Sequence, residues 1–306
     1  MLIPVRAPVP AMTDGIPASD AIECLQPHPG AAWVVATADG FRLWTPDNLA
    51  TSTLVETMET RTSADAFRQL LAGCMASAWA DAGPALRPIS EPVSGLGGAL
   101  AYIYGLCGAY RTTHETPTVF RRARDRLQAR GQTALGDLAE EKAVEESGHD
   151  RLVLRDLAAF GLPAEDLVDA VRPRRPLALL ALFKELCDSD EPSAVFGYSY
   201  VLERLAAFRG AADIARVQAL VKPRVNITRG ARVHSGVGAD AGHVEELAAA
   251  LCVISPPQRR AIACAAWQTA RLQSDAELDD YNAARFADVL RGYGWQPEAV
   301  LATEPG

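Results

Sequence analysis

The sequence predicts an all-α fold, a bundle of roughly eight to ten helices joined by short loops between antiparallel neighbours. Three observations support this prediction. Alanine and leucine are abundant, while only 7% of the 306 residues are aromatic, which favours helices. Apolar residues recur every three or four positions from Ser63 onwards, the period of a helix buried on one side. A chain of this length can also bury a sizeable core.

The first 60 residues depart from this pattern. They are rich in proline, and the segment AAWVVATADGFRLWT predicts two short strands around Asp39-Gly40, a pair suited to a tight hairpin turn. We therefore expect residues 1–60 to form a small, irregular N-terminal appendage with a β-hairpin, and residues 61–306 to form the helical domain. The expected role of the appendage is a structural wrap, with a substrate lid as the alternative.

The helices are predicted from their apolar stripes and from the residues that end them. The first runs from Ser63 to Gly83-Pro84, because glycine followed by proline stops a helix. A long helix is predicted from Leu135 to Phe160, with Gly161 after it. Three further helices are predicted to begin near Gly95–Gly98, at Thr116-Pro117 and at Glu191–Ser193. Others are predicted over 164–172, 176–187, 211–221, 257–273 and 276–291. The stretch over 226–254 is predicted to be helical but broken by Gly236, Gly238 and Gly242.

Charge and cysteine usage exclude several classes of protein. The net charge is -8, acidic and basic residues are interspersed, and the basic clusters are short, so we expect no nucleic-acid partner. The N-terminus has no apolar signal core and no run is long enough to cross a membrane, which predicts a cytoplasmic protein without a membrane partner. The six cysteines lack metal-finger spacing, so we expect reduced structural thiols.

The helix predicted over 135–160 is apolar at both ends and ionisable in the middle. On a helix, Glu146 lies about 60° from His149 and Glu145 about 40° from it, so either carboxylate can share one site with the imidazole. Glu-x-x-His on a bundle helix presents metal ligands inward, and carboxylate with imidazole suits iron or manganese. The alternative is an exposed charged patch with His149 at its border.

Two later segments offer ligands of the same kind. Asp240-x-x-His243 repeats the spacing and precedes an apolar stripe, although Asp240 can also cap a surface helix. Glu203 lies in the mainly apolar and aromatic segment YSYVLERLAAF, where a buried carboxylate needs a partner because burying it unpaired is costly. Either a metal ion or a basic residue of another helix would be that partner.

In chain order, EESGHDRLVLRDLAAFGLP, GYSYVLER and HSGVGADAGHVEEL resemble the heme-oxygenase-like superfamily. Within it, the chain is similar to the iron-dependent oxidases and oxygenases grouped with pyrroloquinoline-quinone synthase C and thiaminase-type proteins. The resemblance covers residues 63–275, and the order of the motifs is more specific than any one motif. It implies a heme-oxygenase-like helical bundle in which three carboxylates and three histidines hold two irons.

The resemblance also implies a role for each residue at a matching position. His149 corresponds to the first histidine of the pattern, and Glu203 corresponds to the carboxylate of the middle helix. Asp240 and His243 correspond to the pair on the late helix. These four residues are therefore expected metal ligands.

Two positions depart from the family pattern. Lys142 stands where a glutamate is expected, and Gly236 stands where a histidine is expected. Glu146, or failing that Glu145, is the expected substitute for the carboxylate. His234 is the expected substitute for the imidazole.

His234 can join the site only if the chain between it and His243 is not one continuous helix. Nine residues apart on a helix, the two side chains point about 180° away from each other. Gly236 and Gly238 permit a bulge or unwound turn that would bring His234 round. The departures leave open a single iron, a weak second site, or a metal-free relative with the Lys142 ammonium in the place of a metal.

The expected function is a non-heme iron oxidase or oxygenase that uses Fe(II), one or two ions, with O₂ as co-substrate. Its expected partner is a small-molecule substrate, such as an amine, an amino acid or a fatty-acid-like compound of biosynthetic metabolism, and a homodimer is left open. One alternative is a metal-free hydrolase of the thiaminase type with Cys107 or Cys187 as nucleophile. The other is a non-catalytic relative that has lost part of the metal site. Heme oxygenase activity is not expected, because the helix from Ser63 contains no histidine for a proximal heme ligand.

Overall fold

The structure is a computed structural model, and its described residues are predominantly helical, as the sequence predicted. No helix among them is long and apolar enough to cross a membrane. The structure describes residues 22–28, 32–37, 40–44, 64–82, 94–207, 210–235, 247, 249–251 and 254–302.

Three strands precede the helices: β1 (Ile22–His28), β2 (Ala32–Thr37) and β3 (Gly40–Trp44). In chain order, the helices are α1 (Ala64–Ala82), α2 (Gly95–Ala129), α3 (Thr133–Glu145), α4 (His149–Ala159), α5 (Ala164–Ala170), α6 (Arg174–Asp188), α7 (Val195–Ala207), α8 (Ala211–Gln218), α9 (Arg229–Val233), α10 (Pro256–Gln273), α11 (Ala283–Gly292) and α12 (Pro297–Val300). Two 3-10 turns, Pro192–Ala194 and Ala276–Leu278, precede α7 and α11.

The chain forms two compact units. The first lies within Met1–Leu86, Leu186–Leu202 and Gly242–Ala276, and the second within Arg87–Glu185, Glu203–Ala241 and Glu277–Gly306. The division expected near residue 60 stays a prediction.

The first unit contains the sheet, which is antiparallel with the strand order β1-β2-β3. Trp33 pairs with Trp44, and Thr37 pairs with Gly40. Asp39, in the predicted turn, lies outside the described residues, so the hairpin as a whole stays a prediction.

The helices of the first unit pack closely. Phe67, Leu71 and Cys74 form part of the buried face of α1. In α7, Gly197 lies so near α10 that a Cβ atom there would collide with the carbonyl oxygen of Ile262. A residue without a side chain is therefore required at this contact.

The second unit is built on α2, the longest helix of the described residues. The prediction of a new helix at Thr116-Pro117 was wrong, because Pro117 lies inside α2. Neighbouring threonine hydroxyls donate to backbone carbonyls in this stretch, Thr113 to that of Ala109 at 2.9 Å and Thr116 to that of Thr112 at 2.5 Å. Buried residues on both sides of the proline hold the helix together through tertiary contacts.

The prediction of one helix from Leu135 to Phe160 was also wrong. The helix stops at Glu145 and a new one starts at His149. Gly148, just before the second helix, has a φ of 90°, a left-handed conformation that side chains disfavour. The break therefore lies directly between the residues predicted to bind a metal.

One helix near the C-terminal end of the second unit begins later than predicted. The helix expected over 276–291 begins only at Ala283, where the Asn282 side chain accepts a hydrogen bond from the backbone N–H of Arg285 at 3.0 Å. An asparagine in this position satisfies one of the free donors at a helix start.

Candidate metal centre

Glu146, His149 and His234 bring one carboxylate and two imidazoles together within the second unit. One ligand atom from each residue lies within 4.8 Å of the other two. His149 Nδ1 is 3.1 Å from Glu146 Oε2, and His234 Nε2 is 3.9 Å from the same oxygen. Between 16% and 20% of each side chain is exposed, so solvent reaches the group.

The turn between α3 and α4 places Glu146 and His149. Glu146 directly follows the last residue of α3 and its N–H donates to the carbonyl of Lys142 at 3.1 Å. The His149 N–H donates to the Glu146 carbonyl at 3.3 Å, and the positive φ of Gly148 turns the chain between them. The two side chains meet across this turn rather than along one helix.

His234 directly follows α9, which packs on α4 through Asp156. The carboxylate of Asp156 is fully buried and accepts hydrogen bonds from the N–H of Arg229 at 3.1 Å and of Gly230 at 2.9 Å. Nη1 of Arg229 donates to it as well, at 3.1 Å. A Cβ added at Gly230 would lie 3.5 Å from the Val153 side chain, so the two helices approach each other closely here.

Asp156 is the residue that sequence reasoning missed. It interrupts the apolar stripe of α4 beside Leu157, and a lone acid in such a stripe was the available signal. Burial raises the pKa of Asp156, and the hydrogen bonds from Gly230 and Arg229 lower it by less. Its bonds tie the helix that begins with His149 to the helix that precedes His234.

The surroundings of Glu146 favour the ionised form of its carboxyl group. Burial alone would raise the pKa of its carboxyl group. The hydrogen bond with His149 and the charges of His234, His149 and Lys142 outweigh burial, and the pKa lies below its ordinary value. The carboxylate of Glu146 is therefore ionised at neutral pH, the form in which a carboxylate binds a metal ion.

A buried ion pair lies beside this group. Lys142 Nζ is 2.9 Å from Glu145 Oε2 and 3.3 Å from Glu203 Oε1, with 5% of the Lys142 and 7% of the Glu203 side chain exposed. Burial alone would lower the pKa of Lys142, but Glu203 and Glu145 raise it above its ordinary value. Lys142 is therefore a charged ammonium.

The structure groups three of the residues predicted as ligands and places a fourth beside Lys142. Glu203 pairs with Lys142 and is not part of the group of three, and Glu145 contacts the same ammonium. Asp240 and His243 lie outside the described residues, so their role as ligands stays a prediction. Glu146 and His234 lie beside His149, and their expected role as substitute ligands stays a prediction.

No protein-family model matches this chain, and no curated protein or solved structure matches it either. Its function must therefore be inferred from the chemistry of the residues that it brings together.

Proposed function

We propose that this protein is a non-heme, metal-dependent oxidase or oxygenase that binds Fe(II) through Glu146, His149 and His234 and uses O₂ to oxidise a small molecule. The observation that supports this proposal is the convergence of two imidazoles and one carboxylate within 4.8 Å. Two histidines and one carboxylate are the ligands with which non-heme Fe(II) oxygenases leave open positions on the metal.

The separations of both imidazoles from the Glu146 carboxylate suit a shared ion. An ion at about 2.1 Å from each donor requires separations between donors of about 3 to 4 Å. The Glu146 oxygen lies 3.1 Å from His149 Nδ1 and 3.9 Å from His234 Nε2. Because zinc also accepts this donor set, the metal content of the purified protein is part of the test.

Each residue of the site has a definable task. The Glu146 carboxylate supplies negative charge, and the two imidazoles, which release their protons when the ion binds, supply neutral nitrogen ligands. The partial exposure of all three side chains gives an ion and a small substrate access to the site. When bound, Fe(II) supplies the redox chemistry that activates O₂ for oxidation of the substrate.

The heme-oxygenase-like bundle belongs to the same proposal. The predominantly helical structure and the three motifs quoted from the sequence support it. A cytoplasmic location, a role in biosynthetic metabolism and an amine, amino acid or fatty-acid-like substrate remain expectations that follow from the resemblance.

A second candidate function is a non-catalytic relative that retains the fold. The ion pair between Lys142 and Glu203 favours it, since a carboxylate expected to bind metal contacts an ammonium instead. Such a protein would bind a metal or a small molecule without consuming O₂.

The hydrolase alternative has less support. A nucleophilic cysteine must reach its thiolate form, which is favoured in exposed, electropositive surroundings. Cys107 and Cys187 are buried, and burial raises the pKa of Cys107 to about 12. The Cys107 thiol therefore stays protonated at neutral pH.

Anaerobic reconstitution with Fe(II), followed by desalting and metal analysis, tests the proposed function. We expect bound iron in the wild type and its loss in His149→Ala and in His234→Ala. His114→Ala is the control, because His114 is a 53% exposed histidine that is not one of the three ligands; its partner, Asp150, directly follows His149. The proposal fails if the wild type retains no iron, or if both ligand variants retain as much iron as the control.

Oxygen consumption separates the two candidate functions. We expect the iron-loaded wild type to consume O₂ with a reductant and a panel of small amines, amino acids and fatty acids, and His149→Ala to lose this activity. Iron bound by the same ligands without O₂ consumption would favour the non-catalytic relative.

A further inference from the structure

Lys142 is buried in the second unit and contacts two carboxylates, that of the buried Glu203 and that of the partly exposed Glu145. Its Nζ lies 2.9 Å from Glu145 and 3.3 Å from Glu203, and its charge also acts on Glu146. A buried charge is tolerated only when it is paired, so the ammonium and these carboxylates depend on one another.

We propose that the Lys142 ammonium takes the place of a second metal cation, so that the centre holds a single divalent ion and Glu203 is the counterion of the lysine. The identity of the first ion rests on the proposed function. The exclusion of a second ion rests on the contacts of Lys142 alone.

The physical reason is competition for the same oxygen atoms. A second ion bound to the Glu203 and Glu145 carboxylates would lie close to Nζ of Lys142, because both oxygens are within 3.3 Å of that nitrogen. Two cations at such a separation in a buried site repel each other strongly, since the local dielectric constant is far below that of water. The covalently attached ammonium cannot diffuse away, so the second metal is the cation that is excluded.

Removing the charge should open this place to a metal. In Lys142→Gln, the carboxylates of Glu145 and Glu203 lose their cation. Carboxylate oxygens are the ligands that Mn²⁺ prefers, so the vacated position should bind it. Lys142→Arg keeps the charge and is the matched control.

Calorimetric titration with Mn²⁺, supported by EPR counting of bound ions, tests this inference. We expect one ion per chain in the wild type and in Lys142→Arg, and two in Lys142→Gln. In Glu203→Gln, we expect the first ion to bind with an affinity within about threefold of wild type. A true ligand would cost far more, since loss of even an outer-sphere partner costs about 10- to 100-fold.

The experiment distinguishes failure of the role given to Lys142 from failure of the proposed function. Two ions in the wild type, no added ion in Lys142→Gln, or a loss above 100-fold in Glu203→Gln would each overturn the role given to Lys142. If Lys142→Gln does not fold, the wild-type stoichiometry and the Glu203→Gln affinity still decide the question. No Mn²⁺ in the wild type but one ion in Lys142→Gln would support the exclusion, and the iron content of the reconstituted wild type decides the proposed function separately.

Discussion

His149 and His234 lie edge to face, with ring centroids 4.6 Å apart and ring planes at 87°. One residue begins α4 and the other follows α9, so their contact depends on how these two helices pack. The buried carboxylate of Asp156 joins the helices through three hydrogen bonds to Arg229 and Gly230. The geometry of the site is therefore coupled to a residue that is not one of its ligands.

Replacement of Asp156 by asparagine should destabilise the protein. Because an amide group would turn N–H donors toward the backbone N–H groups of Arg229 or Gly230, we expect the free energy of unfolding to fall by about 2 kcal/mol. Urea denaturation measures the change. Asp288→Asn is the control, because Asp288 pairs with Arg291 at a well-exposed position and should change stability by less than about 0.5 kcal/mol. Equal stabilities of the two variants would contradict this role of Asp156.

Alanine at position 148 should also destabilise the protein. The φ of 90° at Gly148 is unfavourable for any residue with a Cβ, although a Cβ there meets no neighbouring atom, so we expect a loss of about 1–2 kcal/mol from backbone strain. Gly105→Ala is the matched control, since Gly105 lies inside α2 with no atom near its added Cβ and should gain about 0.5–1 kcal/mol. Thermal denaturation should show a lower melting temperature for Gly148→Ala and a higher one for Gly105→Ala. A neutral Gly148→Ala would mean that the turn is not strained.

The dependence of stability on pH should show the lowered pKa of Glu146. Because its pKa in the folded state is below the ordinary value of 4.5, the ionised carboxylate stabilises the metal-free fold at pH above 4.5. This contribution is lost as the pH falls through the folded-state pKa. We expect the difference in unfolding free energy between wild type and Glu146→Gln to shrink below pH 4.5. A difference for Glu146→Gln that stays constant across this pH range would contradict the shift.

Native alkylation should leave Cys107 unmodified. Burial raises the pKa of this thiol to about 12, so at pH 8 only a small fraction of it is the reactive thiolate, and its side chain is fully buried. Mass spectrometry after iodoacetamide treatment, with and without denaturant, measures its reactivity. Rapid modification of Cys107 in the folded protein, with loss of activity, would favour the hydrolase alternative.

The pairing of Glu146 with His149 could be predicted from the sequence because a spacing of three residues brings side chains together on a helix and also across a tight turn. The turn itself was missed, although Ser147-Gly148 is a pair that often marks one. The apolar stripe continues on both sides of the turn, and this continuity suggested a single helix.

His234 was expected in the site only if the chain after it is not one continuous helix, and local sequence alone does not determine its position. It depends on the packing of α9 against α4, which is determined by the long-range contacts of Asp156 and Gly230. Local sequence was also misleading at Pro117. Proline usually breaks helices, but tertiary packing keeps α2 continuous through it. Local signals were overridden where residues distant in sequence supply the contacts.

The most direct test of the metal centre is an anomalous-difference map, measured at the iron edge, from crystals of protein reconstituted anaerobically with Fe(II). We expect one peak per chain, at about 2.0–2.2 Å from Glu146, His149 and His234. We expect no second peak near Lys142. A map without a peak at these three residues, or with its peak bound by other side chains, would contradict the account.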